Sequence, residues 1–143
     1  MNEKKQKILE WDDSLIIGIT WIDNQHKKII EKINTMFQAI MRGVDRKDIE
    51  EMLTFLENYS NVHFNSEEKY MKEYNFDGLE HQKKQHSNFI KKIREYRKNL
   101  HAYQPPSKLA ITIEKDLLSW FKAHIQTLDC EFGDHLRDKY EFK

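Results

Sequence analysis

Seven residues of this 143-residue chain have the types and the placement to hold metal ions: His26; His63 with Glu67; His81 with His86; and His124 with Asp129. Imidazole nitrogens combined with carboxylate oxygens are the donors that non-haem iron and zinc sites use. His63 and Glu67 are four apart, about 40° around an ideal helix, so they face the same way. A carboxylate buried there is costly unless a cation accompanies it or its pKa rises. Taken alone, this pair is equally well a hydrogen-bonded core pair, and a lone His26 is more often a satisfied core histidine. His124 and Asp129 are five apart, about 140° on an ideal helix, and converge only if Asp129 leans across from the edge near the helix end. The joint pattern carries the argument. Ionisable residues interrupt the inward face of each of four helices, and a bundle can aim all of them at one point. The expectation is a two-metal centre in a bundle core.

Four helices must therefore position these side chains. The first, about 23–42, has Asp23 as its N-cap and an inward stripe of Ile22, His26, Ile29, Ile33, Phe37 and Ile40. The second, about 46–74, carries Ile49, Met52, Leu56, Tyr59, His63, Glu67, Tyr70 and Tyr74. After a turn at Asn75 to Gly78, the third runs about 79–101 with Leu79, Gln82, His86, Phe89, Ile93, Tyr96 and Leu100 inward. Pro105-Pro106 breaks the chain, and Ser107 can cap a fourth helix, about 107–129. Its stripe is Leu109, Ile113, Leu117, Trp120 or Phe121, His124 and Leu128. Residues 1–22 read as an arm, extended over 11–22 and packed on the bundle. Residues 130–143 read as a tail with a short helix through Tyr140. Short links make neighbours antiparallel, so the expected fold is all-α, an up-down-up-down four-helix bundle forming one domain over 1–143.

Composition removes several function classes. Lys plus Arg equals Asp plus Glu at 24 each, which leaves no electrostatic case for nucleic acid or an acidic membrane. Charged residues reach 34% but come with 12% aromatics, which fits solvated helix faces better than disorder. No apolar run approaches the ~18 residues of a membrane span. The polar start, Met1 to Lys7, has no export-signal core, so a cytoplasmic protein is expected. The single Cys130 excludes an internal disulfide and reads as a packing residue rather than a redox-sensitive thiol. The Glu-x-x-His signature of ferritin-like bundles, the His-Glu-x-x-His of metalloproteases and any phosphate-cradling glycine loop are all absent from the sequence. His101 and His135 lie off the stripes and read as solvated.

Three runs carry a family resemblance: Trp11…Gly18-Ile19…Ile22-Asp23-Asn24-Gln25-His26, then His63-Phe64-Asn65-Ser66-Glu67-Glu68, then Trp120…His124-Ile125-Gln126-Thr127-Leu128-Asp129. Over roughly residues 11–136 the chain resembles the hemerythrins, particularly the single-domain bacterial ones. The resemblance implies an oxo- or hydroxo-bridged centre of two iron ions with five histidines. His26 and His63 would hold an iron that stays open for O2. The third-helix histidines and His124 would hold the other, and Glu67 and Asp129 would bridge. O2 would bind reversibly and rest as hydroperoxide, for carriage, storage or sensing, in a monomer or weak oligomer. A reductase or a downstream O2-using protein would be a further partner. The alternatives are a di-iron enzyme (oxidase, peroxidase or nitric-oxide handling) and an iron-buffering protein.

The third helix departs from the family's His-x3-His. It reads His81-Gln82-Lys83-Lys84-Gln85-His86, with Gln82 on the inward stripe and His81 about 100° away. A widened i→i+5 turn between residues 78 and 86 would bring His81 onto the iron, the placement kept in the ligand set above. Alternatively His81 reaches in from an unbent helix at a cost in strain, or Gln82 or water takes a histidine's place.

Overall fold

The structure, a computed structural model, describes residues 9–140. Four helices pack around one apolar core: α1, Thr20–Met41; α2, Arg46–Glu73; α3, Leu79–Lys98; and α4, residues 107–140. Neighbours are joined by short links and pack side by side, α1 on α2 and on α4, and α2 on α3. Among the described residues no helix is long and apolar enough to cross a membrane.

Local chemistry sets the ends. Asp45 is the N-cap of α2, its carboxylate accepting the Asp48 N–H at 3.0 Å. α1 and α2 close with the same backbone device. Gly43 (φ +89°) follows α1, where Val44 N–H bonds the Ala39 carbonyl and Gly43 N–H that of Ile40. Asn75 (φ 54°) follows α2, where Phe76 N–H bonds the Met71 carbonyl and Asn75 N–H that of Lys72. A left-handed residue with this pair of bonds satisfies the last carbonyls and reverses the chain.

The arm is fixed to both ends of the sequence. Leu15, which ends a single 3-10 turn at Asp13–Leu15, and then Ile17 and Ile19 alternate inward. Asp23 is not the N-cap expected of it. α1 begins three residues earlier, and the buried Asp23 carboxylate turns back to accept the N–H groups of Ile17 (2.9 Å) and Gly18 (3.2 Å). Arg137, near the end of α4, donates to the Ile17 carbonyl at 2.6 Å. Gly133 makes this approach possible, since a Cβ there would lie 2.6 Å from that same oxygen. The part of the arm at 1–8 and the tail at 141–143 lie outside the described residues.

α4 differs most from expectation. It does not stop at 129 with a separate tail helix; it continues unbroken from Ser107 to Tyr140. Ser107 is its first helical residue rather than its cap. Two π-helical segments widen it, Ile113–Leu118 and Ile125–Asp129. The inward stripe of α1 is buried as expected; that of α2 is buried at Ile49, Leu56, His63 and Glu67 but shifts by one residue at its other positions. Leu53, Ser60, Phe64 and Met71 are buried, while Met52, Tyr59, Tyr70 and Tyr74 are half-buried at its edge. Tyrosines fit an edge because the ring packs while the hydroxyl reaches water.

Candidate metal centre

Six of the seven expected residues meet in the middle of the bundle, each buried: His26 from α1, His63 and Glu67 from α2, His86 from α3, and His124 and Asp129 from α4. Helical spacing accounts for His63 and Glu67, whose Nε2 and Oε2 are 3.2 Å apart. It does not account for His124 and Asp129. There the widened i→i+5 turn Ile125–Asp129 swings the carboxylate back over the imidazole, and Asp129 Oδ1 stands 3.4 Å from His124 Nε2.

Each carboxylate divides its oxygens between two groups of histidines. Glu67 Oε2 is 3.4 Å from His26 Nε2 and 3.2 Å from His63 Nε2, while Glu67 Oε1 is 3.2 Å from His86 Nε2. Asp129 Oδ2 is 3.2 Å from His26 Nε2, and Asp129 Oδ1 faces His124. Two buried clusters result, one of His26, His63 and Glu67, the other of Glu67, His86, His124 and Asp129. Either could hold a cation, with the carboxylates shared between them.

The expected ligand His81 is not part of either. α3 is a regular α-helix through this stretch, so five residues of separation leave His81 exposed while His86 is buried. Gln82 takes the inward position, fully buried, and its Nε2 donates to Asp129 Oδ1 at 2.9 Å. The widened turn considered for α3 occurs in α4 instead.

Two supporting residues escaped the sequence reading. His63 Nδ1 lies 2.6 Å from Gln25 Oε1, and His86 Nδ1 lies 2.7 Å from Glu68 Oε2. A carboxylate only accepts, so His86 donates from Nδ1 and its Nε2 is aimed at the centre. The signal was available, since a buried imidazole needs a partner for its second nitrogen, and Gln25 and Glu68 each adjoin a candidate ligand. An aromatic shell surrounds the cluster. Phe64 stacks on His86 at 4.0 Å, Trp120 on His124 at 4.6 Å, and Phe121 meets His26 edge-on at 5.5 Å. Of the two candidates for the α4 stripe, Phe121 is buried and Trp120 is half-buried.

Electrostatics in the bare protein show what the cluster demands. Burial pushes the His26 pKa down, but the Asp129 and Glu67 carboxylates close to its Nε2 outweigh it and lift the value to about 9. His86 likewise rises to about 9, burial being overcome by Glu67 and Glu68. Burial opposes ionisation of Glu67 and Asp129, yet the surrounding imidazoles hold both below the usual carboxylate range. His63 is pushed down by burial. Two protonated imidazoles thus balance two carboxylates.

Even so, His26 Nε2, His63 Nε2, both Glu67 oxygens and Asp129 Oδ2 are buried without a hydrogen bond of acceptable geometry. Unsatisfied buried polar atoms cost roughly 1–3 kcal/mol each, and a convergent set of imidazole nitrogens and carboxylate oxygens is what a cation, replacing the imidazole protons, relieves. The donors present therefore fit a pair of divalent metal ions of the imidazole- and carboxylate-binding kind. Outside the centre, His101 is exposed as expected. His135 is half-buried rather than free in solvent, packing among Phe76, Phe132 and Tyr140 and donating to the Tyr74 carbonyl at 2.7 Å. Cys130 is half-buried, and burial pushes its thiol up, the environment of an inert cysteine.

Known proteins resemble the chain in fold and sequence. The hemerythrin HHE cation binding domain model matches residues 17–133. The bacteriohemerythrin of Pseudomonas paraeruginosa is 33% identical over 129 residues, covering 90% of this chain and 82% of its own. That of Clostridium acetobutylicum is 29% identical over 127 residues, covering 87% and 98%. Riftia pachyptila myohemerythrin is 28% identical over 126 residues, covering 88% and 92%. A wild-type hemerythrin crystal structure superposes with a TM-score of 0.77 over 90% of this chain and 97% of that one, at 23% identity, a match of fold. Matched by family model, relatives and fold alike, the chain belongs to the hemerythrin HHE cation-binding family.

Proposed function

We propose that this protein binds O2 reversibly at a di-iron centre held by His26, His63, Glu67, His86, His124 and Asp129, for carriage, storage or sensing. The observation that carries the reading is the division of each carboxylate between two histidine groups, which presents two adjacent cation positions sharing both bridges. Iron bound there would supply the electrons and the coordination position for O2. The chain's own residues do the rest. Gln25 and Glu68 orient His63 and His86. Phe64, Phe89, Trp120 and Phe121 wall the cluster in, excluding water and slowing irreversible oxidation. A reductase that restores the ferrous state would be the protein partner.

One feature favours a second reading, a di-iron enzyme of the oxidase, peroxidase or nitric-oxide-handling kind. A surface pocket of about 500 Å³ between α2 and α3 is lined by His86 and Glu68 together with Lys83, Lys91 and Arg94. A small anionic co-substrate could reach the centre's edge there.

Metal analysis and optical spectra separate the readings. Protein made in iron-replete cells should hold close to two irons per chain. Exposing the reduced protein to O2 should give a persistent band that disappears when O2 is removed and returns with it. Rapid bleaching with product release would favour the enzyme, and a stable content of one metal would contradict the di-iron assignment.

A further inference from the structure

Gln82 brings a neutral amide to the centre, on the inward face of α3. Its amide is completely buried, its Nε2 donates to Asp129 Oδ1, and its Oε1 is left without a hydrogen bond. The atom that its Nε2 bonds faces one half of the centre. Asp129 Oδ1 is 3.4 Å from His124 Nε2, which is itself 3.2 Å from His86 Nε2.

We infer that Gln82 is a reversible element of the centre: an N–H donor to Asp129 when the metal is absent, and a carbonyl-oxygen donor to the cation at the His86–His124 end when it is present. The inference rests on the two-ion reading above. A primary amide presents a donor and an acceptor related by a half-turn about its last bond. Facing a bare carboxylate, the NH2 end is favoured. Facing a cation that already engages that carboxylate, an N–H dipole is repelled and the carbonyl oxygen is attracted. The half-turn then satisfies Oε1, the atom the bare protein strands. His81 cannot substitute, because the regular turn of α3 leaves it in solvent.

The donor sets of the two ends then differ. The His26–His63 end offers two imidazoles with Glu67 Oε2 and Asp129 Oδ2. The other end offers two imidazoles with Glu67 Oε1, Asp129 Oδ1 and, in addition, the amide oxygen. The end with the extra donor should fill first and hold its ion more tightly. The His26–His63 end, one donor short, should fill second and keep a position free for an exogenous ligand. Loading of the bare protein is thus ordered by one neutral side chain.

Anaerobic titration of the full chain with ferrous ion against a competing chelator tests this without using O2 chemistry. Wild-type protein should take up two ions in two resolved steps. Gln82→Leu, similar in volume but with no donor atom, should weaken the tighter step roughly 10–100-fold, so that the steps merge, and leave the weaker step in place. Gln82→Glu, which keeps an oxygen there and adds charge, should leave the tighter step at least as tight. If Gln82→Leu fails the circular-dichroism check for folding, Gln82→Asn, too short to reach, replaces it with the same expectation. An unchanged tight step in the Leu or Asn variant would overturn the inference, as would an equal loss in the Glu variant, which would mean that the amide acts through its N–H bond to Asp129 and not through its oxygen. A wild-type capacity of a single ion would instead bring down the two-ion reading, and this inference with it.

Discussion

Two pairs of ionisable residues in this protein have the same spacing and opposite fates. His124 and Asp129 on α4, like His81 and His86 on α3, are five apart. On α4 the backbone widens over Ile125–Asp129 and both side chains reach the centre. On α3 the helix stays regular, His86 points in and His81 points to solvent. Spacing alone therefore does not assign a ligand; the hydrogen-bond register of the intervening turn does. The difference has a local reason. On α3 an uncharged residue, Gln82, already stands on the inward face four residues before His86 and bonds Asp129, so widening that turn would break this buried bond. On α4 the i+4 position is Leu128, which has no such bond to lose and lies half-buried at the stripe's edge.

A one-residue transfer of the ligand should consequently act in opposite directions in the two helices. The largest effect is expected on α4. In the double variant Leu128→Asp, Asp129→Leu, the carboxylate moves to the spacing a regular helix would favour, and iron affinity should fall at least about 100-fold, the upper end of what tuning a ligand's surroundings costs. Retained iron would mean that the widened turn does not govern the site. On α3 the matching exchange, His81→Gln with Gln82→His, brings an imidazole to four residues from His86. Iron retention against a chelator should improve by roughly tenfold.

Metal-free protein allows a subtler check. His26 and His86 titrate near 9 in the fold against about 6.5 in an unfolded chain. A raised folded pKa contributes stability that is complete below pH 6.5 and is lost as pH rises through about 9. The urea midpoint of the metal-free protein should therefore fall across that window. Iron-loaded protein, in which metals replace those protons, should retain its ions better over the same range. A flat metal-free profile would remove the two-proton picture of the empty cluster. The smallest effect belongs to His81→Ala. Its side chain is exposed, so stability should stay within about 0.5 kcal/mol and iron content should not change.

Much of this was legible in the chain. The stripe Ile22, His26, Ile29, Ile33, Phe37, Ile40 is buried throughout, because a 3.6-residue period with strongly apolar positions leaves one choice of face. Gln82 fell on the inward stripe of α3, so the same periodicity already argued against His81. Where two adjacent faces were both apolar, as along α2, periodicity could not choose between Met52 and Leu53 or between Tyr70 and Met71. The widened turn was legible only as a need, two residues five apart that had to face one way, and that need was the same on both helices. Asp23 carried a capping residue's signature but bonded the arm instead, since the arm's buried N–H groups competed for the same carboxylate. The continuity of α4 beyond Asp129 did not show in its inward stripe, which ended at Leu128, although nothing around Cys130 breaks the helix.

A crystal structure of the iron-loaded protein with anomalous scattering at the iron edge tests the central claim most directly. Two peaks are expected between Glu67 and Asp129, one bonded by His26 and His63 and the other by His86 and His124, with residues 125–129 still in the widened turn and His81 in solvent. A single peak, or iron bonded by His81 through a rearranged α3, would contradict it.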